Sequence, residues 1–340
     1  MPAPDVALIT PYPPSGQRHG GSSGVASYSA NLAHALAARG AAVRVLAPAI
    51  AGEPARSADG PVEVLRPFRR GTRALPHAAR AARASGAPVT HLQHELFLYG
   101  GPGSVPGLLP ALGALRTGGR RSVVTMHHVV DPRTVDAEFT RTHRVSAPPA
   151  VARAGLGGVQ SAIGRMASEV IVHEPSFAAH VPGATVVPHG IETPDRTERT
   201  AARAALGLDD RFLALCFGFL APYKGLELAL AAADRAGPDV HLVVAGGEHP
   251  RLATARDGYA HELADAAPAN ATFTGYVPDA HVASWFAAAD VALFLYPQPF
   301  AASGPLSLAL AHGTPALVSP GLARTVDAPD GLVTPLDAAA

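Results

Sequence analysis

Short apolar runs alternate with longer stretches in which alanine and leucine recur at helical spacing along most of the chain. In the first half, Val6–Thr10, Ala42–Leu46, Val89–Gln93, Ser122–Met126, Glu169–Val172 and Thr185–Val187 are predicted strands, with helices over Ala26–Ala38 and Leu75–Ala84. In the second half the predicted strands are Phe212–Gly218, His241–Ala245, Thr272–Thr274, Val291–Leu295 and Ala316–Val318. Helices are predicted over Leu226–Ala236, Arg251–Ala266, Asp279–Ala288 and Pro305–Ala311. Strands such as HLVVAGG and DVALFLY are continuously apolar rather than alternating, which implies a sheet covered by helices on both faces. Strand–helix alternation of this kind builds parallel sheets. At 340 residues the chain is too long for one core. We therefore expect an α/β chain of two doubly wound, Rossmann-like domains, residues 1–190 and 191–340, parted in the polar, proline-bearing stretch 188–203. Open parallel sheets bind ligands beyond the carboxyl ends of their strands. Function is then expected on the loops that follow strands and in a cleft between the two sheets.

Composition narrows the field. The 27 basic residues balance 27 acidic ones, which argues against a nucleic-acid binder held by phosphate attraction. A single cysteine, Cys216, excludes an internal disulfide and a cysteine-cluster zinc site, and its apolar setting FLALCF reads as a buried small hydrophobe. The opening MPAPDVALIT lacks a basic leader region, and no uncharged apolar run reaches the roughly 18 residues that span a bilayer. A cytoplasmic location with at most peripheral membrane contact is the expectation. Lys224 is the one lysine among the 27 basic residues. In an arginine-biased chain, a retained ammonium points to a role that a planar guanidinium does not fill.

Three loops carry candidate chemistry. After the first strand, GGSSG brings Gly20, Gly21, Ser22, Ser23 and Gly24 to the start of a helix, where unpaired amides and the positive dipole end favour an anion. In FGFLAPYKGLELALAAA, Lys224 stands at a helix N-terminus directly after a strand, a placement that favours an anionic partner. In FAASGPLSLALAHG, Ser303 and Gly304 suit a cap and Pro305 a first turn. There the amides of Gly304, Leu306 and Ser307 and the hydroxyls of Ser303 and Ser307 are candidate donors. Histidines also cluster at strand ends: His91, His94 with Glu95, His127 with His128, His173 with Glu174, and His189. None has zinc-binding spacing, and rim imidazoles suit sugar hydroxyls or developing charge. Arg66, Arg69, Arg70, Arg73, Arg80 and Arg83 form a basic stretch without an acid, read either as a solvated surface helix or as a dock for an anionic acceptor.

Taken in order, GGSSGVASYSANLAHALAARGAAVRVLAP, HLQHELFLYGG, VVTMHHVV, VVPHGIE, FGFLAPYKGLELALAAA, LVVAGG, FTGYVPDAHVASWFAAADVALFLYP and ASGPLSLALAHGTPALVS resemble the family 4 retaining glycosyltransferases of GT-B architecture. The resemblance implies a nucleotide diphosphate-sugar donor on the C-terminal domain and an acceptor surface on the N-terminal one. It makes His127 and Lys224 the catalytic pair. The donor diphosphate then falls to Gly21, Gly24, Lys224, Ser303, Gly304, Leu306 and Ser307, and the nucleobase to Gly247, Tyr276 and Val277. His94, Glu95, His128 and His173 fall on the acceptor side. Phe219, Phe300 and Leu308 stand where many relatives carry an arginine and two glutamates, which leaves sugar contact to backbone at Phe300, Ala301 and Ala302.

No cofactor or metal is implied beyond the donor itself, because a diphosphate held by one ammonium and two helix termini needs no magnesium. The acceptor is expected to be a sugar, a lipid-linked group or a secondary metabolite. Two alternatives stand beside transfer: a non-catalytic nucleotide-sugar or carbohydrate-binding module, and a nucleotide-sugar epimerase relying on Glu95 or Glu174.

Overall fold

The computed structural model describes the chain apart from residues 1, 18–22, 97, 143–144, 192–196, 249–257, 298–302, 325, 327–330 and 337–340. The chain divides into two compact units, one taking in nearly all of residues 1–190 and the other nearly all of 191–340.

The first unit is built on eight strands: β1 (Val6–Ile9), β2 (Val43–Pro48), β3 (Arg56–Asp59), β4 (Val62–Phe68), β5 (Val89–His94), β6 (Arg121–Met126), β7 (Glu169–Val172) and β8 (Ala184–Val186). They lie in the order β3-β4-β2-β1-β5-β6-β7-β8, with every pairing parallel except β3 with β4. The order reverses between β1 and β5, so the loops after these two strands flank the switch point. Tyr99 staples that point, its hydroxyl lying 3.0 Å from the Ile9 carbonyl and 2.8 Å from that of Gln93. The core splits across the sheet, as expected where both faces are covered. Leu46, Leu92, Leu112, Val124 and Ile163 pack in one cluster; Leu8, Val43, Val45 and Val64 pack in another.

The second unit carries β9 (Phe212–Phe217), β10 (Val240–Ala245), β11 (Ala271–Gly275), β12 (Val291–Phe294), β13 (Ala316–Val318) and β14 (Val333–Pro335). Their order is β11-β10-β9-β12-β13-β14, all parallel, and here the reversal falls between β9 and β12. The loops after β9 and β12 carry Lys224 and Ser303. The fold thus brings two of the expected anion-binding segments to one switch point.

Three strands (β3, β4 and β14) and three helices of eight residues or more (Leu108–Leu115, Pro149–Met166 and Arg199–Leu206) go beyond the sequence reading. β3 is polar and sits at the sheet edge; β4 alternates buried and half-exposed positions and includes Pro67. The helices Leu108–Leu115 and Pro149–Met166 hold Gly113 and Gly155, Gly157, Gly158 and Gly164, which weaken the helical signal. Gly164 has a packing reason, since a Cβ there would stand 2.7 Å from the Pro182 carbonyl. The helix expected over Arg251–Ala266 is described only from Tyr259 to Asp265. The basic stretch is also corrected. Arg66 belongs to β4 and is buried, its guanidinium donating to the carbonyls of Pro13, Pro48 and Tyr12, so it braces loops instead of meeting solvent. Arg80 and Arg83 do lie exposed on the helix Ala74–Ser85, where with Arg120 they line an open groove of about 560 Å³.

Candidate functional site

In the second unit the polypeptide after β9 turns through Pro222–Lys224 into the helix Leu226–Ala236. Gly225 makes the turn at φ +64°, and a Cβ there would lie 2.3 Å from the Leu295 carbonyl at the end of β12. The loop after β9 is therefore pressed against the end of β12, and only glycine fits. Lys224 points inward and is 8% exposed. Its Nζ donates one long hydrogen bond, 3.4 Å, to the Phe217 carbonyl, and no acidic group faces it among the described residues. Burial lowers its pKa from 10.5 to about 8, with the Cys216 thiol opposing the shift. Cys216 itself is buried, and desolvation pushes its thiol up to about 12, which removes it from nucleophilic chemistry.

The space beside the ammonium is shaped by glycine. A Cβ on Gly218, whose φ is +107°, would stand 2.6 Å from Lys224 Nζ and 3.2 Å from the ring of Pro305. Lys224 thus lies beside the N-terminus of the helix Gly304–His312. A Cβ on Gly246 would fall 2.0 Å from the Gly218 carbonyl, and one on Gly247 3.5 Å from the Tyr276 amide. Gly246 also bridges to Gly275, and Leu220 to Glu248. The ends of β9, β10 and β11 therefore meet as bare backbone, with Lys224 as their cation. Tyr276 stands at the far side of this cradle, 59% exposed, while Val277 beneath it is buried.

Ser303 caps the helix Gly304–His312, its Oγ accepting from the Leu306 amide at 3.2 Å and lying 3.1 Å from the Tyr296 hydroxyl. Ser307 donates through its amide (2.9 Å) and its hydroxyl (3.2 Å) to the Ser303 carbonyl. The expected donors of Leu306 and Ser307 are thus engaged within the helix, because a well-made cap consumes them. Gly304, the first residue of the helix, keeps a first-turn amide that the helix itself does not use. Phe300, Ala301 and Ala302 lie outside the described residues.

The first unit assembles a different cluster at the carboxyl ends of β5 to β8. Gln93 is fully buried on β5. Its Oε1 lies 2.7 Å from His127 Nε2 and its Nε2 3.2 Å from His91 Nε2, which in turn lies 2.8 Å from the Thr125 hydroxyl. The His127 amide donates to the His94 carbonyl at 2.9 Å. The His127 ring packs edge-on to Tyr28 at 4.8 Å and lies 5.0 Å from His173, which is 5.0 Å from His189. His173 donates from Nδ1 to the Val187 carbonyl at 2.9 Å, and its Nε2 is buried without a partner. Desolvation holds His91, His94 and His189 down at about 4 and His127 well below the usual imidazole value. These imidazoles are neutral at pH 7.

His94, likewise buried, has no hydrogen bond to Nδ1. His128 approaches Glu95 at 3.9 Å. Burial raises Glu174 to about 7. Of the glycine loop, Gly24 opens the helix Gly24–Ala38 after Ser23, whose buried hydroxyl has no hydrogen-bond partner, while Gly21 lies outside the described residues. Sequence reasoning passed over Gln93, Thr125 and Tyr28. The available signal was the pairing of His91 with Gln93 at strand period two. Among the described residues no cluster of histidine, cysteine and acidic side chains suits a metal ion, and no helix is long and apolar enough to cross a membrane.

Residues 198–326 match the family described as glycosyl transferases group 1. No curated protein matches the sequence. Among solved structures, sucrose-phosphate synthase from Thermosynechococcus elongatus superposes with a TM-score of 0.67 at 21% identity, covering 93% of this chain and 81% of that one. Anabaena HepE in complex with UDP and glucose gives 0.62 at 18%, covering 98% and 86%. The catalytic domain of starch synthase IV from Arabidopsis thaliana, bound to ADP and acarbose, gives 0.62 at 15%, covering 97% and 86%. At these identities the likeness is one of fold. The chain has the GT-B fold, and its residues 198–326 resemble the glycosyl transferases group 1 family.

Proposed function

We propose that this glycosyltransferase moves a sugar, with retention and without a metal, from a nucleoside diphosphate-sugar to a hydroxyl acceptor, as a family 4 enzyme. The observation that carries the reading is Lys224, a buried ammonium without an acidic partner among the described residues, set in a cradle of bare backbone at the switch point between β9 and β12. A buried unpaired charge is costly, and an anionic ligand relieves that cost. The diphosphate meets Lys224 and the Gly304 amide, and the nucleobase lies by Gly247, Tyr276 and Val277. Charge developing on the departing diphosphate is stabilised by these groups, which are in place before reaction. The first unit supplies the acceptor side through His94, Glu95, His128 and His173, and His127 hydrogen-bonds the transferred sugar. The reaction breaks the bond from the anomeric carbon to the diphosphate oxygen, forms one to the acceptor oxygen, and passes the acceptor's proton to the leaving phosphate. The solved neighbours bound to UDP, UDP-glucose and ADP support a nucleotide donor. A location inside the cell accords with such a donor.

The test is a panel of UDP-, ADP- and GDP-sugars with mixed acceptors, followed for released diphosphate and for the anomeric configuration of product in the presence of a chelator. Release that needs acceptor, survives chelation and yields retained product is expected. Tight donor binding with no release under any acceptor mixture would favour a binding module instead. The raised Glu174 carboxyl gives the epimerase reading its one specific foothold, and donor isomerisation without acceptor would establish it.

A further inference from the structure

A fully buried glutamine side chain joining two imidazoles needs explanation, because its amide has one accepting end and one donating end. Gln93 lies opposite Thr125 in the β5–β6 register, and His91 shares its face of β5. Its carbonyl end faces His127 Nε2 at 2.7 Å, a normal N–H···O length; its amino end faces His91 Nε2 at 3.2 Å, the longer spacing of an N–H···N contact. The Thr125 hydroxyl, 2.8 Å from the same His91 nitrogen, donates to it as well. His91 is thereby protonated on Nδ1, and the single lone pair of its Nε2 is shared by the two donors. Each facing pair along Thr125, His91, Gln93 and His127 then sets a donor against an acceptor.

We propose that Gln93 is a positioning residue that fixes His127 as its Nε2–H tautomer, leaving the Nδ1 lone pair as the atom that meets a substrate hydroxyl. His127 Nδ1 makes no hydrogen bond among the described residues, and Tyr28 and His173 confine the ring from its sides. An imidazole held this way accepts a hydrogen bond from a sugar or acceptor hydroxyl and turns away a group that can only accept. The surrounding His173 and His189, both neutral, add no charge that would force a second proton onto the ring. The proposal rests on the reading of His127 as the residue beside the transferred sugar, but the tautomer itself is observable without turnover.

The experiment uses the full chain labelled with nitrogen-15 at histidine, with the His127 signals identified by their loss in a His127→Asn variant. In the wild type, Nε2 of His127 should be pyrrole-like and Nδ1 pyridine-like. The reverse assignment overturns the proposal. Gln93→Met removes both ends of the amide, and Gln93→Glu keeps an accepting oxygen. The Met variant should lose the single tautomer and at least about 10-fold in kcat with UDP affinity unchanged, and the Glu variant should recover the tautomer. Equal kcat in the Met variant and the wild type would also overturn it. If the Met variant fails to fold, the wild-type spectrum decides the matter alone. The expected tautomer in a chain that transfers no sugar would instead refute the glycosyltransferase reading and leave the role of Gln93 as tautomer-setter intact.

Discussion

Replacing Lys224 with methionine should make the unliganded protein more stable while removing its affinity for the donor. The buried ammonium has its pKa lowered from 10.5 to about 8. At about 1.4 kcal/mol per pH unit, the charged form costs the fold about 3 kcal/mol at neutral pH. Methionine fills a similar volume without charge but leaves the Phe217 carbonyl without its donor, a loss of about 1 kcal/mol. The net gain is about 2 kcal/mol, or a rise in Tm of about 4–8 °C for a unit of this size. The pH dependence distinguishes this cause from improved packing. Between pH 8 and 10.5 the unfolded chain binds the proton that the folded one has released, so wild-type stability recovers as pH rises through that window. The advantage of the variant should therefore be full below pH 8 and shrink toward pH 10.5. Chemical denaturation of both proteins at pH 7 and pH 10 would measure it. A wild type more stable than the variant at pH 7, or a difference that ignores pH, would refute the reasoning.

His91, His94 and His189, held at about 4 against an ordinary 6.5, bind fewer protons folded than unfolded between those values. Stability should fall as pH drops through that window, and His94→Gln should reduce the loss seen in acid denaturation. Gly225→Ala puts a Cβ 2.3 Å from the Leu295 carbonyl at a positive φ and should cost at least about 2 kcal/mol in unfolding free energy. Tyr276→Ala, at an exposed position, should leave Tm unchanged yet weaken UDP or ADP binding about 10-fold in calorimetry, because base stacking is lost. Arg203→Ala removes one of the two arginines that pair with Asp290, which keeps Arg199 and the Leu213 amide, and takes a donor from three carbonyls, so it should destabilise the second unit by about 2 kcal/mol in chemical denaturation.

Much of the architecture was legible in the chain because buried parallel strands leave a plain signal. Glu169–Val172 and Ala316–Val318 are apolar runs bounded by polar or turn residues, and the fold matches them end for end. β4 escaped notice because Arg66, charged yet buried, turns its two terminal nitrogens to the carbonyls of Tyr12, Pro13 and Pro48, a compensation no local pattern announces. Lys224 was conspicuous as the single lysine. Its burial depends on Gly218 and Gly225, whose close approaches to Pro305 and Leu295 link segments about 70–90 residues apart and exist only once the sheet is assembled. The histidines drew attention by number. What the strand pattern shows only faintly is Gln93, since a neutral amide between two histidines carries no charge or motif, and its meaning lies in which nitrogen faces each end.

The most direct measurement is calorimetric titration of UDP and of uridine into the wild type and Lys224→Met at pH 7. We predict that the wild type prefers UDP to uridine by about 100-fold, on the scale of a charge-assisted contact worth nearly 3 kcal/mol. The preference should collapse in the variant. Equal UDP affinity in the two proteins would contradict the account, since the diphosphate would then be held by something other than the buried ammonium.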